Sequence, residues 1–133
     1  MFVVDASVTM AWCFADEATP ATESVLDLFS ADEAVVPAIW SLEVANVLLV
    51  AERRGRLSEA QASRFLDLLQ QLPIEVDAAP LDLAAVVAAG RRHELSAYDA
   101  SYLVLAERTG AALATLDRKL AEAAGRAGVR LLV

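Results

Sequence analysis

The stretch Phe2-Val3-Val4-Asp5-Ala6-Ser7, at the start of the chain, joins a short apolar run to an acid that follows it directly. A short apolar run with β-branched residues predicts a strand that is buried on both faces. Asp5 would then lie at the carboxyl end of that strand, the edge of an open α/β sheet where ligand sites form. The alternative is that Asp5 or Ser7 only caps the helix that follows.

Apolar runs of the same kind recur along the chain, separated by long segments rich in Ala and Leu. The predicted strands are Phe2–Val4, Ala34–Val36, Ile74–Val76, Ala111–Ala114 and Val129–Val133. The segments between them carry helix start and stop signals, such as Pro20 after Thr19. This alternation predicts an α/β fold with a central parallel sheet of about five short strands and helices on both faces.

Length, composition and charge narrow the possible classes of protein. The 133 residues fit one domain over residues 1–133, and a hydrophobic content of 57% excludes intrinsic disorder. The formal net charge of −8 excludes a generally cationic surface, so any contact with nucleic acid has to be local. The lone Cys13 needs no oxidising compartment, and we find neither a signal peptide nor a membrane span. We therefore expect a cytoplasmic protein.

Glu43 lies inside a predicted helix, Ala38–Ala51, that is apolar almost all round. Asn46 follows three residues later, so its amide shares one helix face with the Glu43 carboxylate. Burying a lone carboxylate costs several kcal/mol unless it is paired or binds a metal ion. Glu43 therefore needs a partner, and the alternative to a functional site is a salt bridge to an arginine of a neighbouring helix.

Two further acids stand at helix starts. Asp99 is the third helical residue after the predicted cap Ser96, on the same stripe as Tyr102 and therefore on the buried side of its helix. Asp117 follows the Ala111–Ala114 strand, again at a carboxyl edge. For both acids the alternative is an ordinary role at a helix N-terminus, where carboxylates are favoured.

The joint pattern of these acids decides more than any one of them. A parallel sheet brings strand ends and the following helix starts to one rim, where Asp5, Glu43, Asp99 and Asp117 would meet. Clustered carboxylates repel one another unless they are protonated or neutralised by a cation. Oxygen ligands without His or Cys suit a hard divalent ion, Mg²⁺ or Mn²⁺. The chemistry that follows is metal-assisted hydrolysis of a phosphodiester.

Other acidic α/β sites fit this sequence less well. An aspartyl phosphatase site needs a second acid two residues after the first, where Ser7 stands. A phospho-accepting receiver domain needs paired acids after its first strand, and these are missing. The chain has no glycine-rich phosphate loop, and its only histidine, His93, supports no Ser-His-Asp triad.

Four segments in order resemble the motifs of the PIN domain. They are Val3-Val4-Asp5-Ala6-Ser7, Glu43-Val44-Ala45-Asn46-Val47-Leu48, Tyr98-Asp99-Ala100-Ser101-Tyr102 and Ala114-Thr115-Leu116-Asp117-Arg118-Lys119-Leu120. The likeness covers the whole chain. A stand-alone domain of this length is similar to the VapC toxins of bacterial type II toxin–antitoxin modules.

The resemblance implies a ribonuclease that uses Mg²⁺ or Mn²⁺ held by Asp5, Asp99 and Asp117. Glu43 would be a further ligand or would orient the attacking water. The positions that match supporting residues are Ser7, Asn46 and Thr115. The resemblance also implies a homodimer and a cognate antitoxin whose C-terminal segment blocks the site. A dimer agrees with the apolar residues on several faces of the Glu43 helix, which a monomer could hardly cover all at once: Leu42, Val44, Leu48 and Leu49.

Basic residues near the acids are candidates for contacts with RNA phosphates. These are Arg53 and Arg54, after the Glu43 helix, and Arg118, directly after Asp117. The alternative for each is ordinary surface charge. Two other functions stay open at this point: a PIN-like nuclease in RNA processing or DNA repair outside a toxin–antitoxin system, and a catalytically silent PIN-like interaction module.

Overall fold

The computed structural model describes all residues, 1–133, and contains one sheet of four parallel strands. The strands are β1 (Phe2–Val4), β2 (Ala34–Val36), β3 (Ile74–Val76) and β4 (Ala112–Ala114), in the spatial order β3-β2-β1-β4. Strands β1, β2 and β4 are completely buried, whereas β3 at the edge is partly exposed. The predicted parallel α/β fold is confirmed.

Seven α-helices surround the sheet. They are α1 (Ala6–Ala11), α2 (Pro20–Asp27), α3 (Ile39–Arg53), α4 (Glu59–Gln71), α5 (Leu83–His93), α6 (Ala97–Thr109) and α7 (Arg118–Arg126). Several begin at the predicted caps, such as Thr19 and Ser96, whose hydroxyls accept backbone N–H groups of the first turn. None of the helices combines the length and the apolar character that crossing a membrane requires.

The predicted fifth strand, Val129–Val133, is wrong. This segment makes only a single parallel bridge, in which Leu131 pairs with Leu113 of β4. The Leu113 N–H donates to the Arg130 carbonyl at 2.8 Å, and the Leu132 N–H donates to the Leu113 carbonyl at 2.9 Å. The sheet therefore has four strands rather than about five. The residues are β-branched and aliphatic, as in a strand, but too few of their backbone groups reach β4 to extend the ladder.

The strand order creates a crevice at the carboxyl edge of the sheet. From β1 the chain moves outward on one side to β2 and β3, and then returns to place β4 on the other side of β1. The point where the connections change direction thus lies between β1 and β4. In open α/β sheets, ligands bind in the crevice at such a point. The Asp5 N–H donates to the Ala114 carbonyl at 3.1 Å, so the two strand ends are joined at this crevice.

Candidate active site

Asp5 leaves the end of β1 directly into the crevice and is only 5% exposed. Its Oδ1 accepts hydrogen bonds from the Ser7 hydroxyl at 2.6 Å and from the Val8 N–H at 3.1 Å. Its Oδ2 accepts a hydrogen bond from the Thr115 hydroxyl. The Val8 bond makes Asp5 the N-cap of α1, so the capping role is real. Each carboxylate oxygen has two lone pairs, and Oδ2 therefore keeps one for another partner.

The loop after β4 is tied to the Asp5 turn by two side chains. The Leu116 N–H donates to the Ser7 hydroxyl at 2.9 Å, and the Asp117 N–H donates to the Thr115 hydroxyl at 3.0 Å. Ser7 and Thr115, which the sequence indicated as supporting residues, thus join residue 5 to residues 115–117. Asp117 itself is exposed, and its Oδ1 caps α7 by accepting the Leu120 N–H at 2.9 Å. The Oδ2 of Asp117 takes no part in this capping bond.

Glu43 lies in the second turn of α3 and is half-buried. Its Oε1 accepts a hydrogen bond of 2.6 Å from the hydroxyl of Tyr102, a residue of α6 that is 1% exposed. The expected alternative, a salt bridge from Glu43 to an arginine, is not found. Burial raises the pKa of the Tyr102 hydroxyl, and the bond to Glu43 raises it further, so Tyr102 stays a proton donor.

Asp99 occupies the first turn of α6 and is half-buried. Its N–H donates to the Ser96 hydroxyl at 3.1 Å. Burial raises the pKa of the Asp99 carboxyl, and the negative charges of Asp117, Asp5 and Glu43 raise it further, in that order. Asp117, Asp5 and Glu43 therefore all lie close enough to Asp99 to affect its carboxyl electrostatically. Asp99 thus lies on the same side of the sheet edge as the other three acids.

Burial also raises the pKa of the Asp5 carboxyl, while the hydrogen bonds from Ser7 and Thr115 act in the opposite direction. No cation compensates these acids by direct contact, because the five salt bridges of the chain all involve other carboxylates. The charge of Lys119 lowers the pKa of Asp99, but burial and the neighbouring acids raise it by more. The rim is thus a partly buried group of carboxylates, none of which forms a salt bridge.

The acids do not form a finished coordination shell, because no three His, Cys, Asp or Glu side chains are close enough together to hold a metal ion. Their chemistry nevertheless fits a hard divalent cation. The donors are all carboxylate oxygens, and each of Asp5, Glu43 and Asp117 has an oxygen with lone pairs left over from its hydrogen bonds. A cation would also remove the repulsion that raises the pKa of Asp99.

The remaining predicted residues lie at different distances from the rim. Asn46 is exposed on α3, one turn after Glu43. Arg118 lies beside Asp117 but pairs with Glu122 of its own helix at 3.3 Å. Arg53 is ten residues after Glu43 on the same helix, which corresponds to about 15 Å along the axis. Arg53 and its exposed neighbour Arg54 are therefore too far along the helix to contact a phosphate that lies beside Glu43.

Tyr102 is the one residue of the site whose role the sequence did not indicate. The signal was present, because Tyr102 follows Asp99 by three residues on the buried stripe of its helix. A buried tyrosine hydroxyl needs a hydrogen-bond partner. Only the packing of α6 beside α3 shows that this partner is Glu43.

Comparison with known proteins agrees with this geometry. The family model described as PIN domain matches residues 2–126. Ribonuclease VapC3 of Pyrobaculum aerophilum is 36% identical over 122 residues, which cover 90% of this chain and 92% of the relative.

Two solved structures share the fold. The crystal structure of PAE2754 from Pyrobaculum aerophilum has a TM-score of 0.73 at 28% identity, covering 92% of this chain and 83% of that one. A toxin-antitoxin complex from Klebsiella pneumoniae has a TM-score of 0.68 at 17% identity, covering 100% of this chain and 98% of that one, and at this identity it shows the fold alone. With the family model matching nearly the full length, the chain belongs to the PIN domain family.

Proposed function

We propose that this chain is a divalent-metal-dependent endoribonuclease that acts as the toxin of a toxin–antitoxin pair. The observation that carries the proposal is the uncompensated acidic rim, built from Asp5, Glu43, Asp99 and Asp117 on four separate elements. The likeness to Ribonuclease VapC3 over 92% of that relative supports RNA as the substrate. A silent interaction module would have no need to keep these acids without a cation.

In this proposal Asp5, Asp99 and Asp117 hold the metal ion, and Mg²⁺ or Mn²⁺ fits their oxygen donors. When bound, the ion supplies Lewis acidity toward a phosphoryl oxygen and makes water a stronger acid. Ser7 and Thr115 fix the orientation of the Asp5 carboxylate through their hydrogen bonds. Such support from neighbouring hydroxyls limits the freedom of the ligand and preserves its geometry.

Glu43 orients the attacking water through the carboxylate oxygen that Tyr102 does not bind. Water attacks phosphorus in line with the leaving oxygen, the phosphorus–oxygen bond of the RNA backbone breaks, and the leaving oxygen takes up a proton. The result is two RNA fragments. Exposed cations beside the rim, above all Arg118 and Lys119 at the start of α7, attract the phosphate backbone to an otherwise acidic surface.

Arg53 and Arg54 would contact RNA outside the cleavage site, because they lie at the far end of α3. Their contribution would be affinity that depends on salt concentration, without an effect on the cleaved bond itself. We expect this activity in the cytoplasm, where the half-exposed Cys13 stays reduced.

The proposed partners are a cognate antitoxin and a second copy of the chain. The monomer itself covers Val44 and Leu48, which are buried, but it leaves Leu42 and Leu49 on α3 69% and 47% exposed. Both lie on the helix that carries Glu43. A homodimer through this helix would cover them. Light scattering after size exclusion should give twice the chain mass of 14.2 kDa, and Leu42→Glu should shift it toward the monomer.

The experiment that tests the proposed activity is cleavage of labelled RNA by the purified chain. We expect fragments with Mg²⁺ or Mn²⁺, none in EDTA, and none with Asp99→Asn in the presence of either ion. Cleavage that persists in EDTA would contradict the metal-dependent reaction. Coexpression with the gene directly upstream, expected to encode a small DNA-binding antitoxin, should restore growth that the chain alone inhibits. If no such gene lies upstream, the toxin–antitoxin part of the proposal would be overturned.

A further inference from the structure

The hydrogen bond between Tyr102 and Glu43 joins two helices at the rim. The two residues are 59 positions apart in sequence, and the hydroxyl–carboxylate distance is 2.6 Å. A bond of this length to a charged acceptor belongs to the stronger class of hydrogen bonds. The rest of the Tyr102 side chain is buried in the core, so the hydroxyl is held in place by packing.

Two further hydrogen bonds in series hold the same part of α3 to the Asp5 turn. The indole N–H of Trp40, three residues before Glu43, donates to the Thr9 hydroxyl at 3.0 Å. The Thr9 hydroxyl in turn donates to the Asp5 carbonyl at 2.8 Å. Both Trp40 and Thr9 are buried. The first turns of α3 are thus held to the backbone of Asp5 through Trp40 and to α6 through Glu43.

We infer that Tyr102 is a positioning residue, which acts through Glu43 by fixing its Oε1 and leaving its other oxygen for the attacking water. This inference rests on the proposed function. The Trp40–Thr9–Asp5 chain fixes where the helix lies, and Tyr102 fixes where the side chain of Glu43 lies on it. Without the hydroxyl, Glu43 is a half-exposed side chain that is free to leave the rim for solvent.

The first test is Tyr102→Phe, which keeps the buried ring and removes only the hydroxyl. We expect kcat to fall about 10- to 100-fold, the usual effect of losing a residue that orients a metal or water ligand, while KM for RNA stays within about twofold. Mn²⁺ affinity, measured by calorimetry without RNA, should also stay within about twofold, because the three aspartates hold the ion. Tyr98→Phe is the matched control, because Tyr98 is on the same helix but 59% exposed, and neither quantity should change.

A double-mutant cycle separates positioning from a general structural effect. If Tyr102 acts through Glu43, adding Tyr102→Phe to Glu43→Gln should change kcat by less than about twofold. Full additivity would overturn the inference. So would a Tyr102→Phe protein that melts at a lower temperature but keeps the kcat of the wild type.

A spectroscopic measurement avoids any change at Tyr102 beyond a ring fluorine. The chain has two tyrosines, so Tyr98→Phe labelled with fluorotyrosine gives one fluorine resonance, that of Tyr102. Diamagnetic Mg²⁺ should shift this resonance, and Glu43→Gln should reduce the shift. A resonance that Mg²⁺ leaves in place would overturn the inference even if the wild type cleaves RNA. A wild type that neither binds Mn²⁺ nor cleaves RNA would overturn the proposed function and the inference together.

Discussion

Two acidic regions of this molecule are built in opposite ways. Asp16 and Glu17, in the turn before α2, both pair with Arg56 at 2.8 Å. The Arg56 guanidinium also lies 3.7 Å from the ring centre of Phe14. At the rim, Asp5, Glu43, Asp99 and Asp117 take part in none of the salt bridges, although Asp5 is far more buried than Asp16.

Folding alone therefore does not account for the rim. A partly buried charge without an ion-pair partner costs free energy of folding. Asp16 and Glu17, which lie outside the rim, do have such a partner in Arg56. Acids that stay uncompensated at a crevice between strand ends are explained by a ligand that is itself a cation.

The largest expected effect is on cleavage. Asp99→Asn keeps the size of the side chain but removes its charge, and we expect the rate of RNA cleavage with Mn²⁺ to fall by at least about 100-fold, or roughly 2.7 kcal/mol. Asp16→Asn, in the paired region, is the matched control and should keep the wild-type rate. Initial rates on a labelled RNA provide the measurement, and wild-type activity of Asp99→Asn would remove Asp99 from the site.

The next effect is stabilisation by metal. Saturating Mn²⁺ should raise the free energy of unfolding by about 2.7 kcal/mol when its concentration is 100 times the dissociation constant. Thermal melts with and without Mn²⁺ measure this as a shift in Tm. The shift should be largely lost in Asp99→Asn and retained in Asp16→Asn. The reverse pattern would place the ion at the paired acids near Arg56.

A smaller effect concerns pH in the absence of metal. The pKa values of Asp5 and Asp99 are raised in the folded chain above the ordinary value of 3.8, so the folded state holds these protons to higher pH than the unfolded state does. Their contribution to stability is complete below the unfolded pKa and is lost as pH rises through the folded pKa. Asp99→Asn in EDTA should therefore be more stable than wild type at neutral pH, with a smaller difference in acid.

Urea unfolding at several pH values checks this expectation. A difference between Asp99→Asn and wild type that does not depend on pH would show that the charge of Asp99 is not responsible.

The smallest effect is expected at the paired region itself. Arg56→Met keeps an unbranched apolar stem over Phe14 and removes the pairs with Asp16 and Glu17, which are exposed to solvent. We expect a small decrease in Tm and an unchanged rate of RNA cleavage. A large loss of cleavage in Arg56→Met would mean that this region, too, belongs to the nuclease.

Local patterns predicted the strand ends and the acids that follow them. The apolar run before Asp5 and the one before Asp117 are readable without any knowledge of packing, and the parallel sheet then brings their ends together. Glu43 was predicted because it is a charged residue within an otherwise apolar helix. These features depend on residues near one another in sequence, and the structure agrees with where they lie.

Features that depend on packing were not predicted in the same way. The aliphatic segment Val129–Val133 has the composition of a strand but meets β4 at a single bridge. Ala111, expected in the fourth strand, instead donates its N–H to the Ala106 carbonyl at 3.1 Å and so closes the end of α6. Tyr102 is bonded to Glu43 only because α6 lies beside α3. Such partners belong to the tertiary structure, which periodicity does not encode.

The pairing of β1 with β4 has a consequence for how the protein is made. Thr115 binds the Asp5 carboxylate across 110 residues of sequence, and β4 is the last strand to be synthesised. A chain still emerging from the ribosome has its first acid long before it has the hydroxyl that orients that acid. Under the proposed function, the cleavage site therefore stays incomplete until residues 115–117 have been synthesised and have reached the Asp5 turn.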